Sequence, residues 1–146
     1  MEYLKNYTTM IDATKTVGEI QELLAKSGAK QIMILYENGH PKGVCFSIQT
    51  SNGLQGIKLP VNVEKMYALL KKIKKQSPQK QIRDTYEQAE RTAWRNVKEW
   101  ISIQLSFIAT EMVNLDEVFL PYLLNNQNKT IYELFTENQL LLGENK

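Results

Sequence analysis

The chain reads as an α+β protein, α-β-β-β-α with a three-stranded antiparallel meander, followed by a long helix and two short C-terminal helices. Three observations carry that reading. VCFSIQT (44–50) alternates, with Val44, Phe46 and Ile48 on one face and Cys45, Ser47 and Gln49 on the other, the period of a strand half-buried in a sheet. Asn38-Gly39 and Asn52-Gly53 stand on either side of it. Asn-Gly is the strongest short hairpin signal, because both positions tolerate positive φ. Farther along, Trp94, Val97, Ile101, Leu105, Ile108 and Met112 keep a heptad-like spacing that only a long helix can use.

In chain order, residues 1–14 show no period. Thr16-Val17-Gly18-Glu19 spells a capping box, Ile20, Leu23 and Leu24 follow at helical spacing, and Gly28 ends the segment, which predicts a helix over 17–27. It presents one apolar stripe and must lie on a sheet. QIMILYE (31–37) is the first strand, with Asn38-Gly39, Pro41 and Gly43 supplying turn chemistry before the second at 44–50. GIKLP (56–60) is the third, stopped by Pro60. A helix over 62–75 buries Val63, Met66, Tyr67, Leu69 and Leu70, and SPQKQ breaks it. Overlapping caps at Asp84-x-x-Glu87 and Thr85-x-x-Gln88 open the long helix, which runs to about Met112. Asn114-x-x-Glu117 caps a short helix around VFLPYLL, where Pro121 implies a kink or a first-turn position, and Thr130-x-x-Glu133 caps another around IYELF. The 146 residues form one domain, with an α-β-β-β-α part at about 14–76, a basic linker at 76–83 and a helical part at 84–142. No repeat appears.

Apolar content of 42% and charged content of 23% are ordinary for a soluble globular chain. Cys45 is the only cysteine, so no internal disulfide is available, and a cytoplasmic setting is expected. The opening MEYLKNYTTMIDATK lacks the layout of a signal peptide, and no apolar run approaches a membrane span. Without secretion the glycosylation sequons at Asn6 and Asn128 have no meaning.

The minimum parts of common chemistries are missing. His40 is the only histidine, placed between Gly39 and Pro41 in a predicted turn and read as an exposed turn residue. With a single strand cysteine it cannot supply the three or four ligands of a metal site. A Cys45–His40 nucleophilic pair would lack an acid to orient the imidazole. Asp116 and Glu117 are adjacent, hence on different sides of a helix, and their first-turn position is explained by the helix dipole. No glycine-rich loop opens a helix in the manner of a phosphate cradle. The expectation is a protein without catalysis, cofactor or metal.

Charge distribution says more than the net +2. Lys71, Lys72, Lys74, Lys75, Lys80 and Arg83 form a run with no acid among them, whereas beyond Met112 acids dominate. A lysine-rich helix end is also what the dipole favours, so a solvated terminus and flexible linker is the bland alternative to a phosphate-contacting patch. In AERTAWRNVKEW (89–100), Arg91, Arg95 and Lys98 share a face, with Glu87 and Glu99 placed for local ion pairs. Trp94 opens the apolar stripe and Trp100 joins a second line with Ala93, Val97 and Phe107, so both rings turn inward. The combined face is wide enough for a helix packed on two sides or for a homodimer through the 85–112 helix.

The order α-β-β-β-α is shared with the double-stranded-RNA-binding domain, but there the basic cluster opens the second helix and here it ends it. Over residues 14–135 the chain resembles a family of small proteins encoded by phages, prophages and integrative elements. The likeness is carried by TKTVGEIQELLAKSGAKQI, IKLPVNVEKMYALL, AERTAWRNVKEWISIQLSFIATEMVNLDEVFLPYLL and TIYELF. The resemblance implies a mobile-element accessory protein in the host cell's cytoplasm and brings no catalytic residue with it. Together with the charge pattern it gives the expected function, nucleic-acid binding through Lys71, Lys72, Lys74, Lys75, Lys80, Arg83, Arg91, Arg95 and Lys98. The alternative is an anti-defence inhibitor, anti-CRISPR-like or binding a signalling nucleotide, that acts on a host immune protein.

Overall fold

A computed structural model describes residues 3–138. It contains α1 (Ala13–Lys26), β1 (Gln31–Glu37), β2 (His40–Thr50), β3 (Gly53–Pro60), α2 (Val63–Gln76), α3 (Tyr86–Ala109), the four-residue α4 (Leu115–Val118), a 3-10 turn at Leu120–Tyr122 that holds Pro121, and α5 (Ile131–Asn138). The α+β order is the predicted one. The last four positions of the predicted helical part, 139–142, lie outside the described residues. No described helix is long and apolar enough to cross a membrane.

The sheet is a meander of order β1-β2-β3, antiparallel throughout. Asn38 and Gly39 take φ of 53° and 81°, as a two-residue primed turn requires. At the second hairpin only Gly53 uses positive φ. Strand β2 begins four residues earlier than predicted, because Pro41 and Gly43 belong to the strand and not to the turn. Between them Lys42 is the extra residue of a β-bulge: Leu35 pairs with Gly43 and Tyr36 with Pro41.

Val44, Phe46 and Ile48 of β2 and Ile57 and Leu59 of β3 form one core with Val17, Ile20 and Leu24 of α1, Leu70 and Ile73 of α2, and Trp94 and Ile101 of α3. Helix α3 packs on both α1 and α2, which accounts for its wide apolar face. Trp94 is fully buried, and Trp100 packs edge-on against Phe119 and Tyr122 with ring centroids 5.6 and 5.8 Å apart. Both tryptophans therefore turn inward as the periodicity predicts.

Local signals set most helix ends. The side chains of Asn62 and Thr85 accept the N–H of Lys65 and Gln88, and capping boxes close at Asn114/Glu117 and Thr130/Glu133. Asp84 does not cap. Gly28, at φ 101°, ends α1 with Ala29 N–H bonded to Leu24 O and Gly28 N–H to Ala25 O, a Schellman pair.

Three expectations are corrected. Helix α1 starts at Ala13 behind Asp12, so Thr16 and Glu19 lie one turn inside it and cap nothing. Helix α3 ends at Ala109, short of Met112, because Glu111 takes φ 65° and lets Met112 N–H bond to Phe107 O. Leu69 is exposed, for a reason given below. The aperiodic N-terminal segment, finally, lies on α3. The fully buried Gln88 donates from Nε2 to Tyr7 O and Thr9 O, and Thr92 Oγ1 donates to Asn6 O.

Candidate nucleic-acid interface

The last turns of α2 and the segment leading to α3 carry the predicted basic run. Lys71, Lys72, Lys75, Lys80 and Arg83 are exposed and Lys74 is partly so. None of the six is in an ion pair among the described residues. The connecting segment is pinned, which removes the flexible linker of the bland alternative. Ile82 is buried in the core, Lys80 N–H bonds to Ser77 O at 3.0 Å, and Lys74 Nζ donates to Lys80 O at 3.3 Å. Lys71 Nζ lies 4.7 Å from the centre of the Tyr67 ring, a cation–π contact that holds the ammonium without neutralising it.

Beside the run is a concavity of about 470 Å³ lined by Tyr3, Leu4, Leu69, Lys72, Ile73, Gln76 and Ser77. It explains why Leu69 is exposed: its neighbour is a groove and not another helix. Tyr3, 89% exposed, stands there beside Lys72. No periodic signal in residues 1–14 points to that placement.

Arg91, Arg95 and Lys98 do not form the outward basic face that helical spacing predicts. That side of α3 meets α1. Arg95 Nη1 donates to Glu19 Oε1 at 2.6 Å and to Thr16 Oγ1 at 3.2 Å, and Lys98 Nζ lies 3.9 Å from the same carboxylate. Arg91 donates to Gln88 Oε1 from Nε and Nη2. The expected local partners Glu87 and Glu99 make no ion pair with Arg91 or Arg95 among the described residues. Arg95 and Lys98 belong to the α1–α3 seam and Arg91 is held by Gln88 of its own helix, so the candidate interface contracts to Lys71–Arg83.

The Arg95 hydrogen bond holds the Glu19 carboxyl below its usual 4.5, against the opposing effect of burial. A depressed carboxylate contributes stability above its unfolded pKa and loses it as pH falls through the folded one. Glu19→Gln is therefore expected to destabilise the protein at neutral pH, with the gap to wild type closing as pH drops below 4.5. Urea midpoints measured against pH check this, and a gap unchanged down to about pH 3 would show that Glu19 does not titrate in this way.

His40 is exposed as expected but is the first residue of β2 and not part of the turn. Its Nδ1 lies 2.9 Å from Oε2 of the largely buried Glu90, and its ring meets Tyr86 edge-on at 5.3 Å. The bulge aims Lys42 at the same cluster, where it bonds Glu64 and donates to Tyr86 Oη at 2.5 Å. The Glu64 bond first, then Tyr86, pushes the Lys42 ammonium well above its ordinary pKa, and the same contact pulls Glu64 down. Each charge here already has a partner, so the cluster fastens β2 to α2 and α3 and offers no free cation to a ligand. Cys45 pairs with Met33 while His40 pairs with Glu37, four positions apart on β1 and so roughly 13 Å from each other. The two cannot act together, and burial raises the Cys45 thiol. Of the acid pair, Glu117 accepts Asn114 N–H, and Asp116 accepts from Asn52 Nδ2 at 2.7 Å, which ties α4 to the second hairpin.

No family model, no curated protein and no solved structure matches this chain.

Proposed function

We propose that this chain is a small accessory protein of a mobile element that binds nucleic acid, without catalysis, through the surface of Lys71, Lys72, Lys74, Lys75, Lys80 and Arg83. One observation carries the reading. Six cations fall within residues 71–83, with no carboxylate paired to any of them among the described residues, whereas other cations without an ion pair, such as Lys5, Lys30 and Lys65, are scattered along the chain. Cations that satisfy no internal acid are the ones able to displace counterions from a phosphate backbone, and such binding is strongly salt-dependent and weakly sequence-selective.

Fluorescence anisotropy with DNA and RNA oligonucleotides over a salt series tests it. Each phosphate contact contributes about 0.7 to the log–log salt slope for single strands and about 0.9 for duplex. Changing Lys71, Lys72, Lys74 and Lys75 to Gln is expected to lower the slope by about 3–4 and to abolish binding at moderate salt. Binding that ignores the four changes, or no binding at low salt, would sink the proposal.

The concavity at Tyr3 and Lys72 favours a second reading, an anti-defence protein that takes up a signalling nucleotide or engages a host immune component. Its volume of about 470 Å³ falls in the range of small-ligand sites, and Lys72, Gln76 and Ser77 offer polar groups against apolar walls. A thermal-shift screen with cyclic nucleotides separates the readings, since a stabilising nucleotide at micromolar concentration identifies the second. A homodimer through the 85–112 helix would use Ile103, Phe107 and, just past the helix end, Met112, all of which are exposed, whereas most of Gln88–Trp94 is buried.

A further inference from the structure

The meander has two outer edges, and the chain treats them differently. Along β3 the segment after α4 closes the edge: Leu124 N–H donates to Gly56 O at 2.8 Å, and Leu123 bridges Ile57. Along β1 no backbone partner lies beyond the strand among the described residues. Open edges are normally protected by brevity, charge, proline or a bulge. β1 uses none of these. QIMILYE is seven residues long with no proline or glycine, and its only charge is its last residue. The bulge lies in β2 and leaves β1 regular. Met33 and Tyr36 are 58% and 63% exposed.

We propose that β1 pairs with β1 of a second copy, antiparallel about a two-fold axis through Ile34, joining two three-stranded sheets into one of six strands. Only registers that keep the core faces of both sheets on one side are available. The register centred on Ile34 is the one that pairs all seven residues. It sets Met33 against Leu35 of the second copy and Ile32 against Tyr36 of the second copy, apolar on apolar at both ends of the axis. Charge favours a second copy over an arbitrary strand. Lys30 and Glu37 flank the strand, and neither is in an ion pair among the described residues. The two-fold sets the uncharged Gln31 against Glu37 of the second copy, with Lys30 one position beyond, so no like charges meet across the seam. Because the middle of the β3 edge is already bridged at Gly56 and Ile57, no strand can pair along its whole length, and association closes at the dimer.

The register makes a specific test possible. It places Gln31 opposite Glu37 of the second copy, and both side chains are exposed, so charge changes at 31 leave the fold alone. Sedimentation velocity of the full chain over a concentration series is expected to show a reversible dimer. Gln31→Lys creates two opposite-charge pairs and is expected to tighten it roughly two- to thirtyfold, while Gln31→Glu weakens it by a like factor. Both effects should shrink at high salt. Three results would overturn the proposal: a monomer throughout, a dimer indifferent to residue 31, or a dimer abolished by Phe107→Lys, which would locate association on α3.

Discussion

Trp94→Ala is expected to lower the unfolding free energy by about 3–5 kcal/mol, the range for removing a large aromatic from a packed core. Trp94 is the largest fully buried side chain and lies where α3 crosses the start of β2, with its Nε1–H donating to Pro41 O at 3.2 Å. Alanine leaves a cavity between helix and sheet and strips that carbonyl of its partner. Phenylalanine keeps most of the ring and loses the donor, so Trp94→Phe should cost about 1–3 kcal/mol, chiefly for the unsatisfied carbonyl. Against a typical total of about 5–15 kcal/mol, the alanine variant is marginally folded. Trp100 remains as the fluorescent reporter in both variants, and its packing on Phe119 and Tyr122 makes its emission sensitive to unfolding. A cost under about 1 kcal/mol for Trp94→Ala would contradict the buried placement.

The features legible in the sequence are those decided within a turn or two of chain. Caps at Thr85, Asn114 and Thr130 succeed because side chain and recipient N–H are three residues apart. The alternation of 44–50 succeeds because the strand is buried on one face. The identical spelling at Thr16-x-x-Glu19 misleads because both side chains are engaged by Arg95, 79 and 76 residues away. Periodicity states that Arg91, Arg95 and Lys98 share a face but not that Glu19 of α1 meets Arg95 and Lys98 there, so a seam reads like a surface. The end of α3 is illegible because Glu111 takes the left-handed conformation normally assigned to glycine. Of the candidate interface, the lysine run is legible as a local excess of charge. Tyr3 is not, since its position depends on hydrogen bonds made by Gln88, far along the chain.

Those hydrogen bonds define the second large effect, for Gln88→Leu. Gln88 is fully buried, and every polar atom of its amide is in use: Nε2 serves Tyr7 O, Thr9 O and Thr92 Oγ1, and Oε1 accepts Nε and Nη2 of Arg91. Leucine fits the volume but leaves two backbone carbonyls and a guanidinium without their partner. Each unsatisfied buried group costs about 1–3 kcal/mol, so a loss of about 3–5 kcal/mol is expected if the N-terminal segment stays docked. The segment has a cheaper response, which is to leave α3 and hydrate its carbonyls. In that case the global loss is capped at the docking free energy, and local opening appears as faster proteolysis and hydrogen exchange over residues 3–12. Chemical unfolding measured with limited proteolysis distinguishes the two responses, and no change in either would show that the amide holds nothing. The undocked outcome reaches the proposed function as well, because Tyr3 and Leu4 form one wall of the concavity at Lys72. Gln88→Leu should then weaken any ligand bound in that concavity while leaving the salt slope set by the lysines unchanged, which separates a groove that grips a base or nucleotide from a surface that only neutralises phosphate.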